Sequence, residues 1–93
     1  MTFQFEWDEI KAEKNRAKHN VSFEEAATIF DDILSVTFDD PDHSITESRE
    51  ITIGYSIKNR LLLVFSTTRR NKIRIFSARE ATKKERKKYE ESL

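Results

Sequence analysis

Hydrophobic and polar residues alternate most clearly between Glu47 and Ile57, where every second position of the later half is apolar. A period of two predicts a strand that is buried on one face. The segment from Leu61 to Thr68 is apolar on both parities, which is typical of a central strand covered on both faces. Shorter strands are predicted from Ile33 to Asp39 and from Lys72 to Arg79, so that four strands form an antiparallel meander.

Three residues suited to capping a helix N-terminus, Asp8, Ser22 and Thr82, each precede a predicted helix. The first two helices have apolar positions at helical spacing, whereas the third is basic and has few apolar contacts. In the second and third cases a glutamate follows the cap by three residues, Glu25 and Glu85, which is the spacing of a capping box. The predicted helices run from Glu9 to about Lys18, from Phe23 to about Phe30, and from about Thr82 to Glu91.

The chain begins with the alternation T-F-Q-F-E-W from Thr2 to Trp7, which predicts a short strand or an extended arm that presses aromatic side chains onto the core. The predicted fold class is therefore α+β, with two N-terminal helices, a four-stranded antiparallel sheet and a C-terminal helix. A chain of 93 residues has room for one core, so we expect residues 1–93 to form a single domain.

Composition excludes several classes of site. The chain has no cysteine, which excludes disulfides and thiolate metal ligands and fits a reducing cytoplasm. No apolar run approaches the roughly 20 residues of a membrane span, and the acidic N-terminus does not resemble a signal peptide. The acidic cluster Asp39, Asp40 and Asp42 lacks the glycine spacing of a calcium loop, and one glycine cannot form a glycine-rich phosphate loop. We expect neither metal nor cofactor.

The net charge is zero, yet the charges are segregated along the chain. Met1 to Glu50 contains 5 basic and 13 acidic residues, whereas Ile51 to Leu93 contains 12 basic and 4 acidic residues. Such polarity suits a protein with one anionic and one cationic partner. Alternatively, the oppositely charged halves attract each other within the fold.

The strand from Lys72 to Arg79, K-I-R-I-F-S-A-R, combines strand periodicity with a row of cations. Ile73 and Ile75 fall on one face and Arg74 on the other, while Arg79 lies where strand gives way to helix. A planar guanidinium at a strand end is well suited to binding phosphate. Alternatively, the cations protect an edge strand against aggregation.

Three segments together resemble the BrnT family of bacterial type II toxins. They are the opening F-E-W-D-E-I-K-A-E-K-N-R-A-K-H-N-V-S-F-E-E-A, the middle E-S-R-E-I-T-I-G-Y-S and the ending I-R-I-F-S-A-R-E-A-T-K-K-E-R-K-K-Y-E. Asn20 stands where glycine is usual after K-H, and either residue can adopt the left-handed conformation of a helix C-terminus.

The resemblance implies a fold similar to the RelE ribonucleases and a ribonuclease that arrests growth. It also implies a cognate antitoxin, of the ribbon-helix-helix type as in BrnA, and allows for a dimer of toxin–antitoxin heterodimers. RNA would be the substrate, and the toxin would act in the cytoplasm.

Metal-independent RNA cleavage uses the neighbouring 2′-hydroxyl as nucleophile, so it needs proton transfer and stabilisation of negative charge. His19, which follows Lys18 at a helix end, is the candidate for acid or base chemistry, with Lys18 assisting. Arg49, Arg74 and Arg79 are candidates for holding the phosphate. Alternatively, His19 is an ordinary residue of a helix C-terminus that favours the negative end of the helix dipole.

Other charged residues have weaker assignments. Glu47 is close enough in sequence to Arg49 to orient it or to act as a base, although such neighbours often form a surface ion pair. Arg69, Arg70 and Lys72 form a basic turn that could follow the RNA backbone.

Two aromatic residues, Phe76 and Tyr55, could stack on bases but are expected to be core. The alternative function is a non-catalytic module that binds nucleic acid or protein through the basic C-terminal surface. A third hypothesis is a structural partner that is inert without its antitoxin.

Overall fold

The computed structural model describes residues 3–41 and 48–93, and its five strands form one sheet in the order β1-β5-β4-β3-β2. The meander β2 to β5 is antiparallel, and three helices are present, as predicted. The elements are β1 (Gln4–Glu6), α1 (Glu9–His19), α2 (Phe23–Thr28) continued by a 3-10 turn (Ile29–Asp31), β2 (Val36–Asp39), β3 (Glu50–Tyr55), β4 (Leu61–Arg69), β5 (Lys72–Glu80) and α3 (Lys83–Glu91).

The predicted sheet was wrong in one respect, because it has five strands and is mixed. The N-terminal stretch joins it as β1, which pairs in parallel with the start of β5, with Phe5 beside Ile73 and Glu6 beside Arg74. Parallel neighbours come from distant parts of the chain, so no local turn signal announces them. The alternation of the stretch nevertheless has the predicted consequence, since Phe5 packs against the core.

The main core lies between α1, α2 and one face of the sheet. Asp8 caps α1 by accepting hydrogen bonds from the backbone N–H groups of Ile10 and Lys11 at 2.8 and 3.2 Å, which lowers the pKa of its carboxyl. The buried residues of this core are Val21, Phe23, Ala26 and Ile29 from the helical side and Leu62, Val64, Ile73, Ile75 and Ala78 from the sheet.

The segment after α2 differs from the prediction of a strand starting at Ile33. Asp32 turns the chain, because its carboxylate accepts from the backbone N–H of Tyr55 at 2.8 Å and of Leu34 at 3.0 Å. β2 therefore begins only at Val36, and the side chain of Ile33 is 96% exposed. The close approach also requires Gly54, since a Cβ there would lie 2.9 Å from Cβ of Ser35.

The other face of the sheet is covered only in part, by α3. Tyr89 of this helix packs with Ile53, Leu61 and Leu63, and burial raises the pKa of its phenol. β4 is thus buried on both faces, as its apolar run predicted. Because α3 lies near one end of the sheet, the rest of this face is open. The candidate site lies on this open part, beside the N-terminus of α3.

Candidate active site

A cavity of about 650 Å³ opens on this second face of the sheet. Three of the residues selected from the sequence, His19, Arg49 and Arg79, contribute to its wall. They come from the end of α1, the chain just before β3, and the end of β5. Phe65 and Phe76 supply aromatic surface between them. Phe38 is a third ring of the lining, so the cavity combines an imidazole, two guanidinium groups, two carboxylates and three aromatic rings.

His19 reaches the cavity because α1 ends immediately after it. Asn20 adopts a left-handed conformation (φ 58°, ψ 34°) and donates its backbone N–H to the carbonyl of Arg16 at 2.9 Å. The C-terminal capping residue is therefore Asn20, as its side-chain type predicts. His19 is the last helical residue and is half-buried with its side chain at the cavity.

Asn15 is a residue of the site region whose part the sequence analysis missed. It is 7% exposed, and its side-chain amide donates to the carbonyls of Val21 and Ala78 at 3.0 and 2.8 Å. Its oxygen accepts from the backbone N–H of Ala78 at 3.1 Å and the hydroxyl of Ser77 at 3.2 Å.

The Asn15 amide hydrogen-bonds to the edge of β5 at Ala78, beyond Arg74, the last residue of β5 that pairs with β1. Because His19 is one helical turn after Asn15, the same contact holds the end of α1 against the cavity. No signal in the sequence marked Asn15, because the apolar residues of α1 do not outline its buried side and Ile10 is 65% exposed.

Phe76 lines the cavity, and β5 contains an irregularity at this point. Ser66 pairs with Ile75 and Phe65 with Ser77, so Phe76 is an extra residue in the strand. A bulge of this kind redirects side chains. Strict alternation already puts Phe76 on the face of Arg74, and the extra residue brings Ser77 and Arg79 to that face as well. Phe76 was expected to be core, whereas in the structure it is half-buried at the cavity.

Arg49 lies over the ring that this bulge presents. Its guanidinium carbon is 4.5 Å from the centroid of Phe76, and the Nζ atom of Lys11 is 5.5 Å from the same centroid. Both distances suit cation–π attraction. The aromatic ring therefore attracts two cations, one from α1 and one from the chain just before β3.

Arg79 is held by Glu85 of α3 in a bidentate ion pair, with hydrogen bonds of 2.8 and 2.9 Å. The two side chains are 31% and 32% exposed. Glu85 also accepts from the backbone N–H of Thr82, which completes the predicted capping box. The Arg79 guanidinium lowers the pKa of Glu85 to about 2, and the carboxylate raises the pKa of Arg79.

A guanidinium has five N–H donors, and Glu85 engages two of them. A third hydrogen bond, of 3.3 Å, joins Arg79 to the carbonyl of Glu80. The guanidinium carbon also lies 5.9 Å from the ring centroid of Phe65. The carboxylate therefore orients Arg79 along the cavity wall.

Arg74 and Lys18 lie outside the lining of this cavity. Arg74 faces the same side of the sheet, since it pairs with Thr67 two residues beyond Phe65. Its guanidinium is 3.5 Å from the carboxylate of Glu6, and both side chains are 38% exposed. Lys18 is exposed on α1.

The basic turn lies at the other end of the β4–β5 hairpin from Arg79. Arg70 and Asn71 have φ values of 52° and 67°, as a two-residue hairpin turn requires. Lys72 and Arg79 are seven residues apart along β5, which corresponds to roughly 20 Å. Glu47, the remaining candidate, lies outside the described residues.

Two other kinds of feature are absent from residues 3–41 and 48–93. No group of three or more His, Asp or Glu side chains is arranged to hold a metal ion. In the same part of the chain, no helix has the length and apolar character needed to cross a membrane.

Comparisons with known proteins agree with one another. The family model described as "Ribonuclease toxin, BrnT, of type II toxin-antitoxin system" matches residues 7–85. The crystal structure of the Brucella abortus ribonuclease toxin BrnT superposes with a TM-score of 0.68 at 21% sequence identity, covering 88% of this chain and 100% of that chain. At this identity the likeness supports the fold alone. A search of curated protein sequences found no match.

Proposed function

The chain belongs to the BrnT family of ribonuclease toxins of type II toxin–antitoxin systems, and from this premise we propose that it is a metal-independent endoribonuclease. One observation carries the proposal: the side chains of His19, Arg49 and Arg79 line a single cavity. The cavity thus has an imidazole for proton transfer and two permanent positive charges for the phosphate, the minimum for cleavage by the 2′-hydroxyl.

In the proposed reaction the ribose 2′-oxygen attacks the adjacent phosphorus and the bond from phosphorus to the 5′-oxygen breaks. The 2′-hydroxyl gives up its proton, the leaving 5′-oxygen receives one, and the products are a 2′,3′-cyclic phosphate and a 5′-hydroxyl. His19 exchanges a proton at one of these oxygens. Arg79 and Arg49 stabilise the charge that develops on the phosphoryl oxygens, and Glu85 keeps Arg79 in position.

The bound RNA would extend along the open face of the sheet. Phe76 and Phe65 offer surfaces on which bases can stack. Arg74 lies farther along the same face, and Arg69, Arg70 and Lys72 follow at the hairpin turn, where they would contact backbone phosphates. Lys18 would contact the backbone near His19, at the end of α1. Glu47 keeps its proposed role of orienting Arg49 or acting as a base.

Membership of a type II family implies a cognate antitoxin. We propose that it is of the BrnA-like, ribbon-helix-helix type, that it neutralises a cytoplasmic toxin, and that two toxin–antitoxin heterodimers can associate. We also propose that the fold resembles that of the RelE ribonucleases.

The test is cleavage of total RNA by the purified protein, with and without EDTA. We expect fragments with cyclic phosphate ends in both cases, and a loss of cleavage for His19→Ala. Arg16→Ala is the matched control, because Arg16 is exposed on the same helix. Inhibition by EDTA would contradict the metal-free mechanism. RNA that is bound but stays intact would favour the alternative, a non-catalytic binding module.

A further inference from the structure

Exposed apolar side chains gather at the β2 edge of the molecule. Ile33 and Leu34 precede β2, and Val36 and Phe38 lie within it, with exposures of 96, 55, 44 and 47%. Leu93, which is 63% exposed, follows Ser92, and Ser92 lines the same groove as Val36. Exposed apolar patches of this kind often mark a site of protein association.

β2 is also an open edge of the sheet. Asp40 donates its backbone N–H to the carbonyl of Arg49. Hydrogen-bonded pairs alternate along an antiparallel ladder, so the pair two residues away, Phe38 with Ile51, is also hydrogen-bonded. The backbone N–H and C=O groups of Thr37 and Asp39 therefore point away from β3. Of the residues that the structure describes, none forms a strand on that side.

The sequence of β2, V-T-F-D, carries neither lysine nor proline, and no bulge interrupts its pairing with β3. Natural edge strands are usually protected by one of these devices. The one charge of this short edge, Asp39, stands at its end, and the apolar remainder can pair with a strand from another chain.

A groove of about 430 Å³ runs between β2 and α3. Its walls include Val36, Ile53 and Tyr89, and Lys88 of α3 lies at its rim. Phe38, Leu63 and Glu85 line both this groove and the candidate active site. An occupant of the groove would therefore adjoin the cavity that contains His19 and Arg79.

We propose that the β2 edge and this groove bind the antitoxin through an extended segment that adds a sixth strand beside β2. Alternate apolar side chains of the segment enter the groove, and an acidic side chain pairs with Lys88. The family implies such a partner. The apolar walls fit a polypeptide better than an RNA backbone, which needs polar and cationic contacts.

The segment would neutralise the toxin by closing the cavity at the wall shared through Phe38 and Leu63. The proposal rests on the antitoxin named under the proposed function and is independent of the cleavage chemistry. Binding can be measured even if the protein proves not to cleave RNA.

The test uses the full chain carrying His19→Ala, and as probe the small protein encoded by the reading frame beside it. Val36→Lys places a charge in the groove and should weaken binding by about 30-fold or more, the scale of an interface hot spot. Ile10→Lys is the matched control, since Ile10 is apolar and 65% exposed on α1. Equal effects of the two substitutions would overturn the proposal.

Hydrogen exchange on the unsubstituted toxin–antitoxin complex gives a second readout that does not depend on the folding of a variant. The amides of Thr37 and Asp39 should become protected on binding. Protection confined to other surfaces would overturn the proposal. A dimer of the toxin alone that Val36→Lys dissociates would also overturn it, because the edge would then bind a second copy of this chain. A loss of RNA binding by Val36→Lys with antitoxin binding intact would overturn it as well.

Discussion

Two helix N-termini of this protein carry the same local sequence pattern and have opposite fates. In α2 the cap Ser22 is followed by Glu25, and in α3 the cap Thr82 is followed by Glu85. Each glutamate binds an arginine. In the first pair the glutamate is 3% and the arginine 23% exposed, and the second pair lies on the wall of the candidate active site.

The carboxylate of Glu25 binds partners outside its own helix. Its side chain is 3% exposed, and its carboxylate accepts from the guanidinium of Arg60 and from the hydroxyl of Ser56 at 2.7 Å. Ser22 still accepts from the backbone N–H of Glu25, so the capping box is half formed. Arg60 lowers the pKa of Glu25, and the same guanidinium reaches the carbonyl of Asn20 at 3.0 Å.

Glu85 serves its own helix and Arg79 at once. Its carboxylate accepts from the backbone N–H of Thr82, and the pair with Arg79 joins β5 to α3 over six residues of sequence. The pair keeps about a third of its side-chain surface exposed. An ion pair that is buried and connects several elements therefore stabilises the fold. An ion pair that stays accessible can contact a substrate.

The largest expected effect is on stability, from Arg60→Ala. This change leaves the carboxylate of Glu25 buried without its cation, which should lower the free energy of unfolding by about 3–5 kcal/mol. Urea denaturation at neutral pH measures it. Arg79→Ala is the matched control and should cost under about 1 kcal/mol, because its pair is exposed to solvent. Similar losses for both would erase the distinction between the two pairs.

The second expected effect is on catalysis, from Arg79→Ala. Removal of a charge-stabilising donor commonly lowers the rate by about 10²–10³. We expect a loss of this size in RNA cleavage, with the melting temperature nearly unchanged. A rate close to that of the unsubstituted protein would show that Arg79, like Arg60, is only structural.

The smallest expected effect is the pH dependence of the Glu85 pair. Its pKa is about 2 in the fold against an ordinary value of 4.5, so the charged form is favoured by folding. This contribution is present above pH 4.5 and is lost as the pH falls towards 2. Glu85→Gln should therefore destabilise by under about 1 kcal/mol at pH 6 and by less at pH 3. Urea denaturation at both pH values measures it, and a difference that grows on acidification would contradict the assignment.

Local features of the fold were predictable from the sequence because each depends on a few neighbouring residues. Asp8, Ser22 and Thr82 begin their helices as predicted, since a side-chain cap acts within three residues. The two covered faces of β4 also follow from periodicity. The prediction for β3 was wrong in part, because Thr52 of its polar face is 1% exposed whereas Ile57 of its apolar face is 81% exposed. The end of α1 at Asn20 needed only its tolerance of positive φ.

The candidate site was predictable in its residue types but not in its arrangement. His19, Arg49 and Arg79 were selected for their chemistry, and the structure brings them to one cavity. Arg74 had the same chemistry, yet it lies beside Glu6 because β1 pairs with β5. No local pattern distinguishes these outcomes.

By itself, the sequence determined where helices start, which strand faces are apolar and which residues could handle a phosphate. Only the tertiary structure decided that Glu25 binds Arg60, 35 positions away, and that Asn15 completes the edge of β5 at Ala78, 63 positions away. The physical reason is that periodicity and capping act over one or two turns of chain. The choice of partner for a buried charge or amide depends on which distant segments the core packs together.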